Sequence, residues 1–144
     1  FVEFETAAEF EVEASDPVAV VQYMSGSQYT GNFNGGIGDP AMLIVVPQVQ
    51  FVDEFIFLTP EGYRQDWITI VASPGAEVTL DDDAIDGDEW GDFPSGDMQW
   101  ARIEVEPGVH HLRSDRPMGL TVYGYDDDVS YAYPGGAQLT PLSQ

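Results

Sequence analysis

Six aspartates, Asp81, Asp82, Asp83, Asp86, Asp88 and Asp92, crowd the stretch "LDDDAIDGDEWGD". Carboxylates at that density suit a hard cation, because calcium collects about six to eight oxygens from side chains and carbonyls. The helix-flanked calcium loop does not fit. With Gly87 in its glycine position, Asp82 and Asp86 match two ligand positions, but Ala84 and Phe93 fall on two others. A calcium site built from the six aspartates therefore stands beside a second reading, a solvated loop whose aspartates start turns and keep the surface soluble. A shorter run, Asp126, Asp127 and Asp128, lies between the tyrosine-rich stretches "YGY" and "SYAYPGG". There the spacing favours a turn over a cation site, since aspartate hydrogen-bonds its own backbone and tolerates positive φ.

Catalytic groups are sparse. His110 and His111 are the chain's only histidines, so they are the side chains whose ordinary titration suits a general base near neutrality. Being adjacent, they point to opposite faces of a strand, and His110 reads as a structural hydrogen-bonding residue. No G-x-S-x-G elbow, glycine-rich phosphate loop or H-E-x-x-H motif occurs. A carboxylate pair could hydrolyse a glycan, but among 26 acidic residues some close pair arises by chance. We therefore expect no enzyme and keep a carboxylate-based hydrolase as the least favoured alternative.

Binding groups are better represented. Trp90, inside the acidic stretch, is the tryptophan expected to be exposed and able to stack on a sugar, whereas Trp67 in "DWITIVA" reads as core. The long Gly/Asn/Ser segment 25–40 adds Tyr29, Asn32 and Asn34 as candidate ligand-binding residues.

These residues must be held by strands. Fifteen glycines and ten prolines punctuate short runs rich in Val, Ile, Phe, Tyr and Trp. That is the pattern of an all-β chain, an antiparallel β-sandwich of jelly-roll-like or Ig-like type with about ten strands. "EFEVEA" alternates cleanly, with Phe10, Val12 and Ala14 on one face and Glu9, Glu11 and Glu13 on the other. "PVAVVQYM" is apolar on both faces and reads as a central strand. "AMLIVV", "VQFVDEFIFL", "DWITIVA", "EVTLD", "MQWARIEV", "HHLRS", "MGLTVYGY" and "VSYAY" follow as strands. If the last two pair as a hairpin, Tyr123 and Tyr125 on one strand and Tyr131 and Tyr133 on the other can make cross-strand contacts. Residues 1–144 read as one domain, processed or excised from a larger secreted or surface protein.

The charge narrows the setting. Twenty-six acidic residues face four basic ones, Arg64, Arg102, Arg113 and Arg116, for a formal net charge of −22. Such a surface repels nucleic acid and anionic lipid. No apolar run nears the ~20 residues of a spanning helix, so membrane insertion is not expected. Self-repulsion calls for salt or cations and fits an extracellular, calcium-rich location. Cysteine is absent, which removes disulfides and thiolate sites.

The segments "DPVAVVQYMSG", "GDPAMLIVVPQVQFVDEFIFLTP", "DWITIVA", "PGVHHLRSDRPMGLTVYGY" and "SYAYPGGAQL", in that order, resemble the amino-terminal domain family of IgGFc-binding proteins, with this chain similar to a bacterial member. The resemblance rests most on Gly108, His110 and Leu112, on "YGY", and on the "SYAYPGG" close. It implies a non-catalytic β-sandwich module of a larger secreted or surface protein. It does not imply immunoglobulin binding, and the acidity and long 81–97 stretch depart from the family pattern. The functional expectation is an extracellular surface module for adhesion or assembly with a protein or glycan ligand at a cell surface. The alternative is a filament subunit, a homo-polymer formed by donating the N-terminal strand to a neighbour's open sheet edge.

Overall fold

The computed structural model describes residues 1–27 and 37–139. Among them the chain is almost entirely β, with ten strands and two short 3-10 turns. The strands are β1 (Val21–Tyr23), β2 (Met42–Ile44), β3 (Val52–Thr59), β4 (Gln65–Ala72) and β5 (Val78–Leu80), then β6 (Asp83–Ala84), β7 (Trp90–Asp92), β8 (Gln99–Val105), β9 (Gly108–Asp126) and β10 (Val129–Pro134). All strand pairs are antiparallel.

The organising element is β9, 19 residues long and shared by two layers. Its first half pairs with β3 on one side and β5 on the other, and β6 extends that layer. Its second half lies between β4 and β10, and β8 and β7 continue beyond β4. The sequence pattern had separated these halves as "HHLRS" and "MGLTVYGY". They form one strand that changes sheets across Ser114–Pro117, much as sandwich corners do.

The core lies between the layers. Along β4 the buried face is Asp66, Ile68, Ile70 and Ala72, and Phe55, Phe57, Leu112, Met118, Leu120 and Val122 meet it. Trp67 takes the opposite, half-buried face, so the expectation that it packs in the core is corrected: period-2 alternation hands the inner face to Ile68 and Ile70. The 17–24 segment is corrected as well. It supplies only β1, which is exposed and pairs with β2 in a separate two-stranded ribbon. Its apolarity on both faces resembled burial, but among the described residues no strand flanks it on a second side.

The predicted hairpin of β9 and β10 forms, yet its tyrosines do not meet across it. Tyr125 is opposite Ser130 and Tyr123 opposite Ala132, whereas Tyr131 is opposite Gly124. The two pairs therefore face opposite sides of the sheet. Tyr123 instead meets Tyr125 edge-on, and Tyr131 stacks near Tyr133.

Candidate functional site

Among the described residues β3 pairs with a strand on one side only, β9; on its other side the chain after β10 passes its start, where the Gln138 N–H donates to the Gln50 carbonyl at 2.8 Å, and no strand pairs with residues 54–58 there. Phe55, Phe57 and Thr59 turn inward, so Ile56 and Leu58 must turn outward. They are 71% and 56% exposed, and Val109, opposite Leu58 on β9, is 71% exposed. Together they form an apolar patch at the sheet edge of a strongly acidic chain, and a contiguous exposed patch marks an interaction surface more than single exposed residues do. Continuous with it, a groove of about 430 Å³ runs between β3 and β10, lined by Ile56, Phe57, Leu58, Pro60, Tyr131, Tyr133 and Gly135.

The main-chain groups along that edge are partly capped. The Leu58 N–H donates to the Tyr133 hydroxyl at 3.2 Å, and the same hydroxyl donates to the Leu58 carbonyl. Leu58 thus points its backbone groups away from β9. Alternate residues repeat the orientation, so Glu54 and Ile56 also direct N–H and C=O to the open side. Burial pushes the Tyr133 phenol up from its ordinary value, so it stays protonated and able to donate.

The aspartates predicted to bind calcium are distributed differently. Asp81 and Asp82 form the two-residue turn between β5 and β6, at φ 52° and 72°. Such a turn needs positive φ at both central residues, which aspartate accepts. Asp83 begins β6, Asp86 precedes the 3-10 turn that holds Asp88, and Asp92 ends β7. Among the described residues no three carboxylate or imidazole side chains gather as a metal-binding group. Asp81 is committed elsewhere. It accepts from the His111 amide at 2.8 Å, and its other oxygen lies 2.7 Å from His110 Nδ1. Partial burial opposes its charge, but the His110 ring and the His111 N–H outweigh this and hold its carboxyl below the usual range.

His110 is buried, stacks on Phe57 and sets its Nε2 2.7 Å from the Glu106 carbonyl. Both ring nitrogens are thus engaged with Asp81 and Glu106, and the structural role expected of this residue is the one its contacts define. His111 faces outward, 2.6 Å from Glu54, which also meets Arg113 at 3.2 Å. The His111 contact, then Arg113, lowers the Glu54 pKa.

Asp126–Asp128 form the β9–β10 turn, with Asp128 at φ 52°. Arg64 contacts Asp126 at 3.3 Å and hydrogen-bonds Asp127, so this run is part-neutralised from within the fold.

Trp90 is half-buried on β7 and packs against the core. Its placement on a strand opposite Ala101 removes the exposed ring expected of a loop tryptophan. Tyr29, Asn32 and Asn34 lie outside the described residues.

Two polar arrangements escaped sequence reasoning. Asp66, 2% exposed, accepts a hydrogen bond from the Tyr131 hydroxyl. A Cβ on Gly124 would lie 2.4 Å from the Tyr131 ring and 2.6 Å from the Asp66 carboxylate. The middle glycine of "YGY" is therefore what leaves room for this buried pair. Burial and then Asp66 drive the Tyr131 phenol far above its ordinary value. Thr59, also buried, donates to the Glu106 carbonyl at 2.8 Å and accepts from the Gly108 N–H at 2.9 Å, tying the end of β3 to the turn before β9. The one sequence signal for the first arrangement was an aspartate in phase with Ile68 and Ile70.

The two antiparallel layers define an all-β sandwich. Comparison with protein families matches residues 1–124 to the family described as IgGFc binding protein, and the chain belongs to that family, one of binding modules and not of enzymes. The matched residues end at Gly124, before β10. No curated protein and no solved structure matches the chain.

Proposed function

We propose that this chain is a non-enzymatic extracellular surface module for adhesion or assembly, and that it takes a protein ligand as an added strand along the open edge of β3. The observation carrying this reading is the coincidence of an unpaired edge, the exposed Ile56, Leu58 and Val109, and the adjoining groove. Strand addition supplies main-chain hydrogen bonds to Glu54, Ile56 and Leu58, while the groove selects alternate side chains. The family supports a protein ligand over catalysis, and the commitment of His110 to Asp81 and Glu106 supports the same choice.

The test is amide hydrogen exchange at Ile56 with an extended Thr/Val-alternating peptide as probe, beside an oligosaccharide panel. The peptide should slow Ile56 exchange, and Leu58→Pro should cancel the effect, because that residue's N–H faces the open side and proline is tolerated there. Binding of sugars alone, with Ile56 unaffected by peptide, overturns the reading.

A further inference from the structure

We propose that the strand taken by the β3 edge is residues 9–14 of a second copy of this chain. The inference rests on the reading of β3 as a docking edge and names its occupant.

Residues 9–14, "EFEVEA", have the alternation of a half-buried strand. Yet among the described residues they belong to no strand, and Phe10 and Val12 are 45% and 52% exposed. Among the described residues the same molecule thus carries a strand edge without a second strand, beside an apolar groove, and a segment with one apolar face that joins no sheet. Charge fixes the orientation of the match. Phe10, Val12 and Ala14 must enter the groove beside Phe57, Tyr131 and Tyr133, because the opposite choice buries Glu9, Glu11 and Glu13. Those glutamates then stand on the outer face with Glu54, Ile56 and Leu58.

The segment's position favours a neighbour's edge over its own. Glu9 pairs with Arg102 of β8 at 3.1 Å, and the Ser95 hydroxyl donates to Glu11 at 2.7 Å. In the sheet order β10, β9, β4, β8, this anchor is three strands from β10 and the groove, or roughly 14 Å at ordinary strand spacing. Donor and acceptor therefore occupy different sides of the molecule. Such a contact is heterologous, and repeated it builds an open chain of copies instead of a closed dimer. The Tyr133 hydroxyl holds the place of a strand at Leu58, and an incoming backbone replaces both of its hydrogen bonds.

Every copy carries the formal charge of −22, and the donor adds glutamates to an acidic acceptor. Repulsion over a screening length of about 30 Å opposes docking at ~0.01 M salt, and about 3 Å at ~1 M permits it. Assembly should appear at molar salt and reverse on dilution into low salt.

The natural chain has no cysteine, so thiols can be placed one at a time. Chains bearing Ile56→Cys are mixed at molar NaCl with separately made chains bearing Cys at position 9, 10, 11, 12 or 13, and treated with a short bis-thiol reagent. Heterodimers should form with a period of two, through one or more of Glu9→Cys, Glu11→Cys and Glu13→Cys but not through Phe10→Cys or Val12→Cys. Cross-linking without that period, or none at all, overturns the proposal. So does a double Glu11→Cys/Ile56→Cys chain that links only within itself. A synthetic peptide of residues 8–15 gives the second arm: it should slow Ile56 amide exchange, and more strongly in Tyr133→Phe, where Leu58 lacks its capping hydroxyl. If this peptide leaves Ile56 unchanged while the Thr/Val peptide protects it, the occupant is wrong and the docking edge stands. If neither protects it, both fall.

Discussion

Residues 9–14 and β4 alternate equally well, yet one is an unpaired segment and the other the centre of a sheet. β4 places Ile68, Ile70 and Ala72 on one face and has β8 and β9 on its two sides. Residues 9–14 place Phe10, Val12 and Ala14 on one face and have no strand beside them among the described residues. The difference lies in the polar residues between. β4 alternates its core residues with Trp67, Thr69 and Val71, which are also at home in a half-buried sheet. The earlier segment alternates with three glutamates, which must stay in water. Alternation states which face a strand would bury, and only a neighbour makes it a strand.

Truncating β4 should be the most damaging change. Ile70 is fully buried, and Ile70→Ala should destabilise the fold by about 2–5 kcal/mol through lost burial and the cavity left behind. Urea unfolding at constant low salt, where the chain stays monomeric, measures it. Next comes Gly124→Ala, which forces a methyl against the Asp66–Tyr131 pair and should cost about 1–3 kcal/mol by overpacking. Tyr131→Phe should cost a similar ~1–3 kcal/mol by stranding the buried Asp66 carboxylate, and its loss in the same titration checks that the pair is the cause.

A smaller effect should appear with acid. The Asp81 carboxyl is held below its ordinary 3.8, so the folded state favours its charged form. Its contribution is complete above the unfolded value and is lost as pH falls through the lowered folded value. Thermal midpoints taken from pH 5 downward should drop for the natural chain below about pH 4, and Asp81→Asn should flatten that part of the fall while keeping a residue that tolerates positive φ. The smallest effect belongs to the other member of the comparison. Phe10→Ala should change monomer stability by no more than about 0.5 kcal/mol, as exposed substitutions do, while abolishing salt-induced association in size-exclusion chromatography. A core-sized loss in the monomer would mean that the segment is already built into its own sandwich.

Much of the sandwich was legible. β3, β4, β8 and β10 fall within a few residues of the runs that announced them, because their alternation and their bounding turns agree. Ala101, Ile103 and Val105 share the inner side of β8 as their spacing required. The failures share a cause. Residues 17–24 suggest a central strand, but periodicity cannot supply β1 a second partner, and the tyrosine pairs miss each other because a one-residue shift of register reverses which face they take. Asp81 was readable as a turn residue, but its hold on His110 spans 29 positions and leaves no local trace. The open edge was the least legible feature. Ile56 and Leu58 look like any strand residues until the sheet order shows that, among the described residues, no second strand pairs with them.

The sharing of β9 between both layers has a mechanical consequence. A sandwich whose sheets are joined only by loops can lose one sheet and keep the other, whereas here a single covalent strand runs through both. Peeling either layer unpairs the half of β9 that it holds and bares the apolar face of the other, so the two layers share no seam along which to part cleanly. It should yield all at once or hold.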